Sequence, residues 1–587
     1  MLRVFSGSGF RITTMASYLL KRCRIPSLTR AMELISPASA RSRPLSFAQH
    51  VDEFTIKNEP LLGYLPGSKE RIALEESLNR LANTCTEVPI VIGGKEVRTT
   101  EERHHVAPFN HSKKVAKYYW ANEQVIQQAI DNCLQAREEW EARPLNDKVK
   151  LFLKAADLVA GKYRYDLVAA TMIGQGKTVF QGEIDAAAEL ADFLRFNAFF
   201  AKELTKYVPI STDPSVCVNH YRQRGLEGFW TAITPFNFSA IGGNLASAPT
   251  LMGNVVIWKP SDTAVLSNYL IYKVFQEAGF PPGVINFVPA DGKLFGDVTS
   301  SSSHLAGVNF TGSVGTFRTI WKQVSNNLDI YQNFPRLVGE CGGKNFHFIH
   351  PSADIESAIA LTVRSGYEYS GQKCSAAERV YIPDSLWLKM KDGLVNAVNE
   401  LKIGSPLEFD TFTSAVIDKN AFKKISSYIN YGKTNLKVLA GSGCDDSKGY
   451  YIQPTIFQTA DPTDKLMKEE IFGPIFTVYV YPEKNIQDAL KLARDTAPFG
   501  LTAAIFGRDE NFLKTACEML KMTGGNFYVN DKSTGAVVGQ QPFGGARISG
   551  TNDKAGGPHY LLRFSSAQTI KETKVPLTDI VYPYMKP

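Results

Sequence analysis

From residue 228 onward, short apolar runs of strand character recur at intervals of 21–30 residues, starting near 228, 255, 284, 305 and 335. Each interval holds a helical pattern. A strand that re-enters a sheet through a helix lies parallel to its predecessor, because a tight hairpin leaves no room for the crossover. The rhythm therefore predicts an α/β protein built on a parallel sheet, and such sheets take ligands at the carboxyl ends of their strands. A second alternating region runs from 346 to about 530, with strands predicted at 346–350, 379–382, 476–481, 501–506 and 526–530.

Upstream, helical periodicity predicts helices at 123–142, 146–161 and 181–204. The segment 208–224 carries Pro209 and Pro214 and then alternates, which reads as an extended hairpin arm. Residues 531–557 are Gly-rich and aperiodic, and a loop that long in a compact domain is usually functional. A chain of 587 residues exceeds one compact core, so two or more substructures are expected. No run of eighteen apolar residues occurs, and membrane insertion is not expected.

The net charge of +7 suggests nucleic acid until it is located. Residues 1–50 hold eight basic residues (Arg3, Arg11, Lys21, Arg22, Arg24, Arg30, Arg41, Arg43) and one acid, Glu33. That segment carries the whole excess, and a neutral body has no general pull on phosphate backbones. The segment fits a mitochondrial transit peptide; the other reading is a disordered basic tail. The eight cysteines form no Cys-x-x-Cys pair, which argues against a zinc ribbon or a disulfide framework. His347 and His350 fall on opposite faces of a predicted strand, so no metal site is expected.

Several short stretches carry chemistry. Cys374, between Lys373 and Ser375 and near Gly371, reads as a nucleophile on an exposed loop, although a cysteine is more often a small buried hydrophobe. Glu340 stands 34 residues upstream, in Gly339-Glu340-Cys341-Gly342-Gly343, as a proton acceptor. Asn237 follows the first strand of the series and is placed to aim its amide at an oxyanion, although on this stretch alone a Pro-Asn turn is the better reading. Gly312-Ser313, at a strand-to-helix junction, suits a phosphate approaching backbone N–H groups, or simply caps the helix. Lys259, Ser261 and Asp262 follow another strand end. A lysine and an acid there suit a ribose, the acid favouring NAD over NADP, while the stretch also reads as a turn.

These stretches, with Glu470-Ile471-Phe472-Gly473-Pro474, occur in one order across some 240 residues. In that order the chain resembles the aldehyde dehydrogenase superfamily from about residue 60 to its end. Its loop 530–545, with Ser370-Gly371-Gln372-Lys373-Cys374-Ser375-Ala376 and the closing Ile570-Lys571-Glu572-Thr573, is similar to members that oxidise L-glutamate γ-semialdehyde in proline breakdown. Cys341 replaces a commoner leucine and keeps a small apolar group; no second nucleophile is assigned there.

The resemblance implies a mechanism. Cys374 attacks the aldehyde, and Asn237 with the Cys374 backbone N–H holds the oxyanion. Hydride passes to NAD, leaving a thioester, and Glu340 activates the water that hydrolyses it. It further implies that Glu470 and Phe472 hold the nicotinamide ribose and ring, and that Lys259 and Ser313 hold the adenosine ribose and pyrophosphate. Ser375, Gly535 and Ala536 would take the substrate carboxylate, Glu189 its ammonium, and Phe238 and Phe543 its methylenes.

The expected organisation is a leader at 1–45, an NAD-binding Rossmann-like domain at 46–207 and 225–341, and a catalytic α/β domain at 342–545. An oligomerisation arm at 208–224 and 560–587 points to a homodimer or higher. A matrix location and coupling to proline dehydrogenase complete the expectation. The rivals are a dehydrogenase for an aliphatic or methylmalonate semialdehyde and a non-catalytic protein on the same fold.

Overall fold

The computed structural model describes residues 50–587, so the basic leader lies outside the described residues. Two seven-stranded sheets organise the rest. The first runs, in spatial order, Arg336–Glu340, Leu305–Thr311, Phe229–Ile233, Val256–Lys259, Ile285–Phe287, Ile90–Ile92 and Lys95–Val97. Its first five strands are parallel and coincide with the five apolar runs of the sequence rhythm. Every residue of Ile285–Phe287 is buried, as are all but the last of Phe229–Ile233, which is why they read as unbroken apolar runs: helices cover both faces. The remaining two strands are antiparallel and extend the sheet from the N-terminal region, which the periodicity does not reveal.

Strand order reverses at Phe229–Ile233, whose neighbours are Leu305–Thr311 on one side and Val256–Lys259 on the other. At such a reversal the connecting helices leave to opposite faces and open a crevice at the carboxyl ends. Asn237, Lys259, Gly312, Ser313 and Glu340 all lie at or just beyond those ends.

The second sheet runs Lys437–Ala440, Thr455–Thr459, Ile475–Tyr481, Ala377–Pro383, Asn345–Ile349, Thr502–Phe506 and Asn526–Val529, parallel except for the first. It meets the site with its amino ends: Cys374 precedes Ala377–Pro383, and Glu470 precedes Ile475–Tyr481. The site is therefore a seam between the carboxyl edge of one sheet and the amino edge of the other.

Two departures have physical causes. The predicted helix at 181–204 is interrupted by a π-helical stretch, Glu183–Glu189, a distortion that recurs at functional sites. Arg164–Gln175 is a helix without a sequence signature because it is buried on all sides and has no polar stripe. The arm at 208–224 carries one strand, Cys217–Arg224, and it pairs antiparallel with Ser566–Thr573 of the C-terminal segment assigned to the same arm, as expected.

Candidate active site

The nucleophile segment leaves the helix Ile355–Tyr367 through a sharp turn in which Tyr369, Ser370 and Gly371 all have positive φ, at 53°, 53° and 66°. Two non-glycine residues in that region are costly and persist only where the surroundings hold them. Here the Tyr369 hydroxyl donates to the Gln175 carbonyl at 2.8 Å, and Ser370 N–H donates to Thr413 Oγ1 at 2.7 Å. Gly371 is forced for a second reason: a Cβ there would sit 2.3 Å from the Gly473 carbonyl oxygen.

Beyond the turn the backbone carbonyls are fixed one by one. Asn237 Nδ2 donates to Gln372 O at 3.1 Å, and Asn345 Nδ2 donates to Cys374 O at 2.7 Å and Ala376 O at 2.8 Å. Asn237 is buried and keeps its second amide hydrogen for another acceptor.

The exposed loop predicted for Cys374 is not what forms. Lys373 and Ser375 are buried, and Cys374 is half-buried at a pocket wall. Burial, then the nearby Glu340, Glu470 and Glu189, push its thiol up to about 12. Glu340 ends its strand and accepts from Gly545 N–H at 3.0 Å, and burial raises its carboxyl well above the usual range. A thiol and acids in one dry space cannot all ionise, so the thiolate forms as an acid nearby takes up a proton or as positive charge arrives. Cys341 is buried, with its thiol also pushed up to about 12 and its N–H donating to Ser549 O at 2.8 Å.

The pocket at Cys374 is also lined by Glu340, Ser375, Gly535, Ala536, Phe238, Phe543 and Glu189. Glu189 lies at the end of the π-helical stretch rather than on a solvated face. Burial and the neighbouring Asp185 push its carboxyl up to about 8, and among the described residues no side chain or backbone group hydrogen-bonds to it. Asp185 is fully engaged: Lys177 donates to it at 2.7 Å, as do Ser239 N–H at 2.9 Å and Ala240 N–H at 2.8 Å, capping the helix Ser239–Leu251. Sequence reasoning missed Lys532 as a pocket residue, although it stands inside the loop quoted above. Lys532 and Lys373 flank the buried Glu368, at 3.7 and 2.8 Å.

The residues assigned to a dinucleotide lie outside this pocket. Ser313 caps the helix Val314–Asn326, accepting from Thr316 N–H at 3.0 Å, and the first-turn N–H groups of Val314 and Gly315 stay open toward an anion. Capping and phosphate binding are thus compatible. Among the described residues Lys259 Nζ donates only to the Pro260 carbonyl, at 3.2 Å. Ser261 Oγ stands 3.2 Å from Thr263 Oγ1. Asp262 has an unforeseen partner: its Oδ1 accepts from the Trp120 indole at 2.9 Å, which ties the strand end to the N-terminal region.

Burial and Glu378 push Glu470 up to about 7, and its Oε1 accepts from Gly343 N–H at 2.9 Å. A Cβ on Gly342 would lie 1.8 Å from that oxygen, which explains the paired glycines. Phe472, at φ 59°, packs edge-to-face on Phe236 at 5.9 Å. The Ile471 and Phe472 N–H groups donate to Glu378 Oε1 at 3.1 and 2.8 Å. An open helix N-terminus, a lysine at a strand end, a buried carboxylate and a braced ring fit a nicotinamide dinucleotide.

A half-buried thiol, an amide with a spare hydrogen, a second acid of raised pKa and a dinucleotide cradle are the groups that a dehydrogenase working through a covalent sulfur adduct would need. The chain belongs to the aldehyde dehydrogenase family, whose sequence profile matches residues 96–570. It is 54% identical over 533 residues to the mitochondrial delta-1-pyrroline-5-carboxylate dehydrogenase of Danio rerio, covering 90% of this chain and 96% of that one. To the Homo sapiens protein of the same name it is 53% identical over 565 residues, 94% and 100% of the two chains. The crystal structure of delta-pyrroline-5-carboxylate dehydrogenase from Mycobacterium tuberculosis bound with NAD matches with a TM-score of 0.88 at 42% identity, covering 92% of this chain and 99% of that one.

Asn237 gives the first quantitative test. Asn237→Ala is expected to lower kcat by on the order of 10²–10³-fold, as for other oxyanion donors, with NAD affinity unchanged. Because the same amide holds Gln372 O, thermal melting of the variant separates lost catalysis from a loosened loop.

Proposed function

We propose that the protein oxidises L-glutamate γ-semialdehyde, the ring-opened form of Δ1-pyrroline-5-carboxylate, to L-glutamate with NAD. The observation that carries this reading is the Glu189 carboxyl, which lies in the same pocket as the nucleophile and has no hydrogen-bond partner among the described residues, although the charges of Lys177 and Lys373 act on it from nearby. A simple aliphatic aldehyde offers nothing to such a group, which is costly to bury alone. An α-ammonium does. The substrate carboxylate then meets the Ser375 hydroxyl and the Gly535-Ala536 backbone, with Lys373 and Lys532 supplying positive charge nearby. Phe238 and Phe543 enclose the methylenes between the two ends.

Lys259, Ser313, Glu470 and Phe472 hold NAD, which when bound supplies the hydride acceptor. Cys374 Sγ forms a bond to the aldehyde carbon, and the oxyanion is held by the second Asn237 amide hydrogen and the Cys374 N–H. After oxidation the acyl group remains on Sγ as a thioester. Glu340 removes a proton from water as that water's oxygen attacks the acyl carbon, and Sγ leaves as glutamate forms. A carboxylate of raised pKa is a stronger base than an ordinary one, which suits this step.

The reading extends to organisation and place. The first sheet belongs to the NAD-binding domain at 46–207 and 225–341, and the second to the catalytic domain at 342–545. The ribbon of Cys217–Arg224 and Ser566–Thr573 is flanked by Ile210, Leu577 and Ile580, all more than 80% exposed, and these are covered by a second copy of the chain in a homodimer or larger assembly. The protein is mitochondrial and works in the matrix on the product of proline dehydrogenase.

The test is the product and its dependence on Glu189. With pyrroline-5-carboxylate and NAD, one glutamate should appear per NADH; NADH without glutamate would overturn the proposal. Glu189→Gln keeps the shape but cannot ionise when an ammonium arrives, as a carboxyl held at about 8 can. It is expected to raise KM for the semialdehyde by about tenfold or more, the worth of a charge-assisted hydrogen bond, and to leave propanal oxidation nearly unchanged.

A further inference from the structure

Two segments far apart in the chain hold the two ends of the proposed substrate. The aldehyde lies at Cys374, and the carboxylate lies partly at the turn Gly535-Ala536. Among the described residues, one hydrogen bond joins segment 371–376 to segment 530–545: Ser533 Oγ donates to the Ser375 carbonyl at 2.9 Å. We infer that His347, acting through Ser533, sets the spacing between the nucleophile and the carboxylate-holding turn, and is a positioning residue for selectivity toward an aldehyde with a distal carboxylate. This inference rests on the functional reading above.

The hydrogen placements follow from which atoms can only donate or only accept. His347 lies on the strand Asn345–Ile349 and is fully buried. Ser533 N–H points at His347 Nε2 at 3.3 Å, so Nε2 is the acceptor. The ring proton then sits on Nδ1 and donates to Thr362 Oγ1 at 2.9 Å. Burial pushes the imidazole pKa down to about 3, so the ring stays neutral and the tautomer persists through the working pH range. Ser533 Oγ stands 3.3 Å from Nε2 and 2.9 Å from the Ser375 carbonyl, both of them acceptors, and the shorter contact takes the hydroxyl proton. Ser365 Oγ, 2.9 Å from Ser533 Oγ, donates to it, and itself accepts from Ala377 N–H at 3.3 Å.

Ser533 is thus gripped on three sides: its N–H by His347, its oxygen by Ser365, and its proton by the residue after the nucleophile. His347, Thr362, Ser365 and Ser533 are all fully buried, so water does not substitute readily for a lost partner. Removing His347 as an acceptor leaves a buried N–H unpaired and frees the turn to shift. Asn345 still fixes the Cys374 and Ala376 carbonyls, so the nucleophile itself stays in place. The expected defect is therefore in the distance between the two anchors, not in the chemistry at sulfur.

The experiment compares kcat/KM for pyrroline-5-carboxylate and for propanal in the full-length enzyme and its variants. Ser533→Ala and His347→Phe should each lower the value for the semialdehyde at least about tenfold, through KM, with propanal changed by less than about threefold. His347→Gln presents an acceptor oxygen to Ser533 N–H and should recover most of the loss. If His347→Phe does not fold, as judged by NAD binding, Ser533→Ala decides alone. Equal losses with both aldehydes would mean a merely structural role and overturn the inference. A wild-type preference that survives intact in the variants would overturn it too, while leaving the functional reading standing. A wild-type enzyme without that preference would overturn both.

Discussion

Replacing Cys374 by Ser is expected to lower NADH formation by at least about 10³-fold with every aldehyde, while NAD binding is unchanged. The side chains are nearly isosteric, so the loop that presents the residue is undisturbed. The difference is chemical. The thiol is already held near 12 by burial and three neighbouring acids. A serine hydroxyl is far harder to ionise, and the pocket that resists a thiolate resists an alkoxide more. Steady-state rates measure the loss, and NAD titration by fluorescence checks that the cofactor cradle survives. Activity within about tenfold of wild type would mean that sulfur is not the nucleophile.

Glu340→Gln should produce a different failure. In the proposed mechanism attack at sulfur does not need this carboxyl, but hydrolysis of the thioester does. The expected result is a rapid burst of one NADH per active site, followed by turnover slowed by about 10²–10⁴-fold. The amide also loses the charge that Gly545 N–H stabilises, so a modest shift of loop 530–545 is expected with it. The pH dependence has a definite sign. Burial raises the Glu340 carboxyl well above its ordinary value, so the base form is lost as pH falls through that raised value. Hydrolysis in the wild type should therefore keep rising with pH above about 6, where an exposed glutamate of pKa about 4.3 is already almost fully ionised. In Glu340→Gln this rise should vanish. Rapid-mixing absorbance at several pH values resolves both phases; an unchanged steady state without a burst would remove Glu340 from the hydrolytic step.

The parallel strands of the first sheet were legible because strands covered on both faces are written as unbroken apolar runs. The two antiparallel strands, Ile90–Ile92 and Lys95–Val97, are three residues each and leave no measurable period. Arg164–Gln175 escaped for another reason: it is buried nearly all round, polar residues included, and shows no polar stripe. The helix Lys69–Ala82 was not predicted, although Ser68 as its cap and Leu74, Leu78 and Leu81 on its inner face leave a pattern in the sequence. At the site, residue type suggested Cys374, Glu340 and Asn237, and the order of motifs placed them in one family. The electrostatic state was not legible. Nothing in the local sequence says that Cys374 is half-buried, or that Glu340, Glu470 and Glu189 share its surroundings; chain folding alone brings these acids together. The supporting residues were hidden likewise. Asn345, Glu378 and His347 work through backbone groups that lie far away in sequence, and side-chain chemistry alone does not mark them.

The central claim is that this cysteine acts on an aldehyde carrying an amino acid at its far end. The most direct measurement is NAD reduction by the purified protein with pyrroline-5-carboxylate, propanal and methylmalonate semialdehyde in parallel. The account predicts the highest kcat/KM for pyrroline-5-carboxylate. Faster turnover of propanal or methylmalonate semialdehyde, or no turnover of any of the three, would contradict it.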